Sequence, residues 1–192
     1  HIDFTYEVSR SLAACEGAIL LVDATQGVQA QTVTNTYLAL ENDLEIIGAI
    51  NKIDLPSANV EETLLEINDL VGIDSDSIVK ISAKTGEGVS ELLELIIEKV
   101  PPPTLKGSQN DKLKALVFDA KYDKYRGIIV YTRIFAGTVK KDDNILFMAS
   151  SKSYEVSEVG VFHPEMVETD NLSAGEIGYI IAGIKEIQEA KV

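Results

Sequence analysis

The chain has 192 residues, 45% hydrophobic and 25% charged, an ordinary globular composition with room for one large domain or two small ones. A formal charge of −14 argues against a protein that coats nucleic acid by bulk electrostatics, so any RNA contact is expected from a local basic cluster or from segments outside these residues. No apolar run approaches the ~18–20 residues of a membrane-spanning helix, a single cysteine rules out an internal disulfide, and without Trp the core must rest on Ile, Leu and Val.

His1–Phe4 opens abruptly, and the chain is expected to be a piece of a longer protein. Glu7–Ala14 has a helical pattern with Val8, Leu12 and Cys15 at i, i+4 and i+7, which reads Cys15 as a small buried hydrophobe in a reducing compartment. Gly17 breaks the helix. Ala18–Val22 then reads as a buried strand closed by Asp23-Ala24-Thr25-Gln26-Gly27, and Val28–Asn42 as a helix whose apolar face includes Val33, Tyr37 and Leu40 or Leu38. In Glu45–Asp54, the run Ile46, Ile47, Ala49 and Ile50 marks a strand buried on both faces. Asn59 with Glu62 starts a helix over Val60–Leu70, Gly72 ends it, Ile78–Ser82 is a third strand and Ser90–Val100 a strongly periodic helix. Strand–helix alternation of this kind means a parallel α/β sheet.

Pro101-Pro102-Pro103 stops everything helical, and the polar stretch Thr104–Lys112 completes a linker over residues 101–112. Short β-rich runs follow at Leu113–Ala120, Ile128–Phe135, Asn144–Ala149, Tyr154–Phe162 and Glu176–Ile184. Strands at this spacing without helices predict a small antiparallel barrel or sandwich. Two domains result, residues 1–100 and 113–192, the first expected to lack its beginning.

The chemistry is carried by two loops. Asn51, Lys52 and Asp54 end the central strand, where an open α/β sheet puts its ligand crevice. A carboxylate there accepts from two neighbouring N–H groups on one ring edge, an edge that guanine offers and adenine does not. Asn51 either ties the loop together or donates to the base, and the stem of Lys52 lies along a ring face. One βα unit later the run Ile78–Ile81 ends in Ser82-Ala83-Lys84-Thr85-Gly86, where the Ala83 N–H can meet the guanine 6-oxo group and Lys84 cover the other ring face. A lone [N/T]KxD tetrapeptide is a weak signal, and two ordinary βα turns with surface lysines are the bland alternative; the paired loops together read as a guanine pocket.

With these loops, the barrel and the opening residues, the chain resembles the translational GTPases, and within them the LepA-type factors, along essentially its whole length. His1–Gly17, Val22-Asp23-Ala24-x-x-Gly27-Val28-x-Ala30-Gln31-Thr32, Arg126-Gly127-Ile128, Arg133, Gly137, Thr138 and Lys141 carry the likeness, with Tyr6–Gly17 narrowing it to LepA. The resemblance implies a P-loop-type G domain followed by a β-barrel, GTP/GDP as ligand and GTP hydrolysis on the ribosome in protein synthesis. It makes Asn51, Lys52 and Asp54 the guanine-recognition motif and Ser82, Ala83 and Lys84 the second base-reading loop. His1 becomes the catalytic histidine that aligns the attacking water, read as native because Ile-Asp-Phe-x-x-Glu-Val follows it, and Ile2–Arg10 belongs to the second switch. No G-x-x-x-x-G-K-[ST] occurs, so the phosphate cradle and the Mg²⁺ ligands are expected in a segment before His1, and the chain alone is expected to be inactive. The family's Lys-x-Gly-Asp turn stands here as Lys140-Lys141-Asp142-Asp143, with Asp142 tolerating the left-handed backbone that Gly would take.

The resemblance further implies ribosomal RNA and proteins as partners and a monomeric cytoplasmic factor without DNA binding, able to sit peripherally on the inner membrane face. Lys121-Tyr-Asp-Lys124-Tyr-Arg126 is the most basic, aromatic-interleaved stretch of the barrel, and Lys121, Lys124 and Arg126 are its candidate RNA contacts; a charged hairpin keeping a strand edge soluble is the alternative. Asp74-Ser75-Asp76 reads as a solvated turn, His163 before Pro164 as a loop residue, and His163 with Glu165 and Glu168 makes no convincing metal site. The competing readings are an elongation factor G or BipA/TypA type of GTPase, and a non-catalytic piece that binds RNA or protein.

Overall fold

The computed structural model describes residues 5–184 and 190. The chain divides into two compact units, His1–Pro102 and Pro103–Val192.

The first unit runs α1 (Thr5–Leu12), β1 (Gly17–Asp23), α2 (Ala30–Glu41), β2 (Glu45–Asn51), α3 (Val60–Val71), a 3₁₀ turn (Ser75–Ser77), β3 (Val79–Lys80) and α4 (Val89–Lys99). Its strands are parallel in the order β1-β2-β3, the α/β sheet that the alternation predicted. Central β2 is buried on both faces, as its apolar run requires. Ile50 packs with Leu20, Val22, Leu64, Ile67 and Ile78, and on the opposite face Ile47 and Ala49 pack with Val79, Ile81 and Leu92 of α4. Asn59 caps α3 by accepting from the Glu62 N–H at 3.4 Å, and Gly72 ends it at φ 70°.

Three expectations need correction. β1 is buried on one face only: Ile19 and Leu21 are 45% and 51% exposed, because the α4 cluster on that face takes in Ile47 and Ala49 but neither of them. α2 buries Thr36 and Ala39, while Tyr37 and Leu40 face outward; its inward stripe is small, and the Thr36 hydroxyl is satisfied by donating to the Thr32 carbonyl at 2.7 Å. Cys15 is exposed, its thiol donating to the Ser11 carbonyl at 3.3 Å, because α1 ends at Leu12 and the i+7 position falls off the helix; Ala14 is buried instead. In α4 only Leu92 is fully buried, and Leu93 and Ile97 face outward.

The second unit contains β4 (Lys114–Asp123), β5 (Gly127–Ala136), β6 (Thr138–Lys140), β7 (Asn144–Phe147), β8 (Lys152–His163), β9 (Glu165–Glu168), β10 (Asn171–Ser173) and β11 (Ile177–Ala182). All pairings are antiparallel, in the order β4-β5-β11-β8-β7 with β9 on β8 and a separate β10-β6 pair. β8 hands its hydrogen bonds from β7 at Lys152–Glu155 to β11 and then to β9 at Gly160–His163, which curls the sheet into a barrel-like shape. The enclosed core holds Ile128, Val130, Ile134, Val139, Val156, Leu172 and Ile180. β6, β9 and β10 had no sequence signal, since three or four residues are too short to show alternation. His163 is a strand residue and not a loop residue, closing β8 opposite Glu165 across Pro164. The polar stretch 104–112 is fastened to this unit: Lys106 N–H donates to the Phe135 carbonyl at 2.8 Å, Gly137 N–H to the Ser108 carbonyl at 2.8 Å, and Arg133 to the Thr104 carbonyl at 3.2 Å.

Candidate functional site

Parallel strands end on one edge of their sheet, so the loops after β2 and β3 meet there. Asn51 joins them: its Oδ1 accepts from the Lys52 N–H at 2.8 Å and from the Ala83 N–H at 3.0 Å. The Ala83 N–H expected to meet a guanine 6-oxo group is thus engaged by Asn51, the loop-tying role among the two foreseen for that side chain. Fully buried Ser82 makes the second link, its hydroxyl donating to Asp54 Oδ1 at 2.7 Å and accepting from the Thr85 N–H at 3.2 Å. Ser82 N–H donates to the Glu87 carbonyl and Gly86 N–H to the Ser82 carbonyl, closing the second loop into a tight turn.

Asp54 is exposed, with one carboxylate oxygen held by Ser82 and the other without a hydrogen-bond partner among the described residues. That leaves one carboxylate oxygen open as an oriented hydrogen-bond acceptor. Lys84, two residues after Ser82, is exposed. Lys52 has a left-handed backbone, φ 68°, and its ammonium lies 2.5 Å from Asp23 Oδ2. Asp23, at the end of β1, also accepts from the Thr25 N–H at 2.8 Å and the Thr25 hydroxyl at 2.7 Å. The hydrogen bond from Lys52, followed by those from Thr25, holds the Asp23 carboxyl down at about 2. Sequence reasoning missed Asp23 as part of this site; the one local signal was a carboxylate closing the strand beside the central one.

His1 lies outside the described residues, as do residues 2–4 of the segment assigned to the second switch. Within α1, the Arg10 guanidinium stacks over the Tyr6 ring at 4.4 Å. Among the described residues no group of three or more His, Cys, Asp or Glu side chains is placed to hold a metal ion.

In the second unit, Lys121, Lys124 and Arg126 sit on the β4–β5 hairpin. Asp123 Oδ1 accepts from the Tyr125 and Arg126 N–H groups at 2.8 and 2.9 Å, which lowers its carboxyl pKa and sets the turn. Lys124 Nζ lies 4.7 Å over the Tyr125 ring, and Arg126 pairs with Glu158 at 3.3 Å. Tyr122 and Tyr125 are 64% and 84% exposed. The hairpin therefore presents two lysines and two open rings to solvent.

Residues 1–102 match the family described as the elongation factor Tu GTP binding domain, and residues 127–192 match elongation factor Tu domain 2. With its parallel α/β unit followed by a curled antiparallel sheet, the chain belongs to the elongation factor Tu GTP-binding family, the translational GTPases. Three curated relatives show what it is similar to. Over all of its residues it is 66% identical to elongation factor 4 of Thermotoga maritima, covering 31% of that protein. It is likewise 57% identical to elongation factor 4 of Gloeothece citriformis and 56% identical to that of Clostridium tetani, covering 32% of each. The chain thus spans about a third of the length of the curated relatives it matches. No helix among the described residues is long and apolar enough to cross a membrane.

Proposed function

We propose that this chain is the base-reading part and barrel domain of an elongation-factor-4-type GTPase, which hydrolyses GTP on the ribosome in the course of protein synthesis. The observation that carries the reading is the double link between the two loops, Ala83 N–H to Asn51 and Ser82 hydroxyl to Asp54. Ordinary βα turns have no need of a buried serine that orients the carboxylate of a neighbouring loop.

In this reading Asp54 accepts the ring N–H and exocyclic amino group of guanine, Ser82 fixes its plane, and the stems of Lys52 and Lys84 flank the ring. Ala83, its N–H taken by Asn51, sets the spacing of the loops. His1 would align the attacking water, and no G-x-x-x-x-G-K-[ST] phosphate-cradle motif occurs in the 192 residues. The barrel hairpin, with Lys121, Lys124 and Arg126, supplies contacts to ribosomal RNA phosphates. A monomeric cytoplasmic factor with GTP/GDP as ligand follows from the same reading.

The test is displacement of fluorescent GDP from the full-length protein. GTP should compete and ATP should not; a folded protein that fails to bind fluorescent GDP would reduce both loops to plain turns. Asp54→Asn should weaken GTP and favour xanthine nucleotides, because an amide donates where the carboxylate accepted, and unchanged GTP affinity would remove Asp54 from the site.

A further inference from the structure

We infer that Asp23 is a positioning residue of the base-reading site, acting by fixing the Lys52 side chain at the edge of the sheet. The inference rests on the guanine-pocket reading above and adds to it a residue from a third strand end.

Three observations converge. First, Asp23 stands directly beside Asn51 in the parallel register of β1 and β2, so its carboxylate lies at the same strand-end edge as the two loops. Second, Lys52 adopts φ 68°, a backbone region that L residues with a Cβ seldom enter, and its ammonium reaches Asp23 Oδ2 at 2.5 Å. Third, Asp23 is itself immobilised: Oδ1 takes both the N–H and the hydroxyl of Thr25, leaving Oδ2 for the lysine. The carboxylate is four-fifths buried by its side chain while the lysine is about half exposed. A fixed anion therefore holds the end of a flexible cation.

The consequence is chemical. An ammonium neutralised by Asp23 is not a free clamp for phosphate, and a lysine pinned at its tip holds its methylene stem along the β1–β2 strand ends beside Asn51. That stem is an apolar strip of fixed position, suited to one face of a planar base. Without the carboxylate, Lys52 regains its rotamers, and ordering the stem has to be repeated each time a base binds.

Equilibrium binding of N-methylanthraniloyl-GDP to the full-length protein tests this. Asp23→Asn should lower affinity by roughly three- to five-fold, the range of a partly exposed ion pair, and by the same factor for GDP and GTP. Lys52→Met keeps the stem and removes the ammonium while leaving Asp23 and the Thr25 turn untouched, so it should show a similar loss even if Asp23→Asn fails to fold. In the Lys52→Met background Asp23→Asn should then cost nothing further. An equal loss from Asp23→Asn in both backgrounds would assign its effect to the Thr25 turn and overturn the inference. So would unchanged affinity in either single variant. Failure of the unsubstituted protein to bind the labelled GDP would overturn the pocket reading itself, and the inference with it.

Discussion

At Asp142 the backbone takes φ 70°, in the turn between β6 and β7, with its N–H on the Val156 carbonyl at 2.8 Å. The position was legible in advance: the resemblance put a Gly-type turn at Lys140-Lys141-Asp142-Asp143, which implies a left-handed residue, and Asp is among the few that tolerate it. Asp142→Gly removes the Cβ conflict and should stabilise the protein by up to about 1 kcal/mol, read as a higher denaturant midpoint at unchanged slope. Asp23 makes a different prediction. Its folded pKa, about 2, lies below the ordinary carboxylate value of 3.8, so its contacts with Lys52 and then Thr25 contribute stability that is complete above about pH 4 and drains away as pH falls toward 2. Acid unfolding followed by circular dichroism should show this part of the loss disappear in Asp23→Asn. The link to Lys52 was not legible. A carboxylate and a lysine 29 positions apart meet only once β1 and β2 lie side by side in register.

Elements repeat the pattern. Asn59 and Gly72 delimit α3 from local chemistry alone, so cap, helix and stop could be read residue by residue. The faces of α2 and β1 could not. Tyr37 looked like core and is exposed, whereas Thr36 is buried, because which stripe of a helix faces inward depends on what the sheet presents to it. The short strands β6, β9 and β10 exist only through their partners and carry no pattern of their own. For the β4–β5 hairpin, the geometry sharpens the expectation. The Asp123 turn is fixed from within, Arg126 is held by Glu158, and the Tyr122 and Tyr125 rings stand exposed, Tyr125 beneath Lys124. Reversing the charge at Lys121, Lys124 and Arg126 together should weaken binding of the full-length protein to ribosomes in a pelleting assay, with the larger loss at low salt. Unchanged binding would leave the hairpin as a solubilising edge.

For the whole molecule, the proposed guanine pocket stands in a sequence that contains no G-x-x-x-x-G-K-[ST]. Most of the interactions that hold GTP lie on its phosphates, so the 192-residue chain by itself should release no phosphate from GTP above background, and measurable turnover in a malachite-green assay would overturn that view.

From its order of residues alone this protein discloses a parallel α/β unit, an antiparallel β unit after Pro101–Pro103, and two strand-end loops with the groups to recognise guanine. Those features are local: apolar period, turn chemistry and short motifs act within a few residues of one another. The tertiary structure decided the rest. It placed Asn51 on the Ala83 N–H, Ser82 on Asp54 and Lys52 on Asp23, and it sent Ile19, Leu21 and Cys15 outward. The physical reason is that such contacts join residues far apart in the chain, and only strand register and the packing of helices against the sheet determine which of them meet.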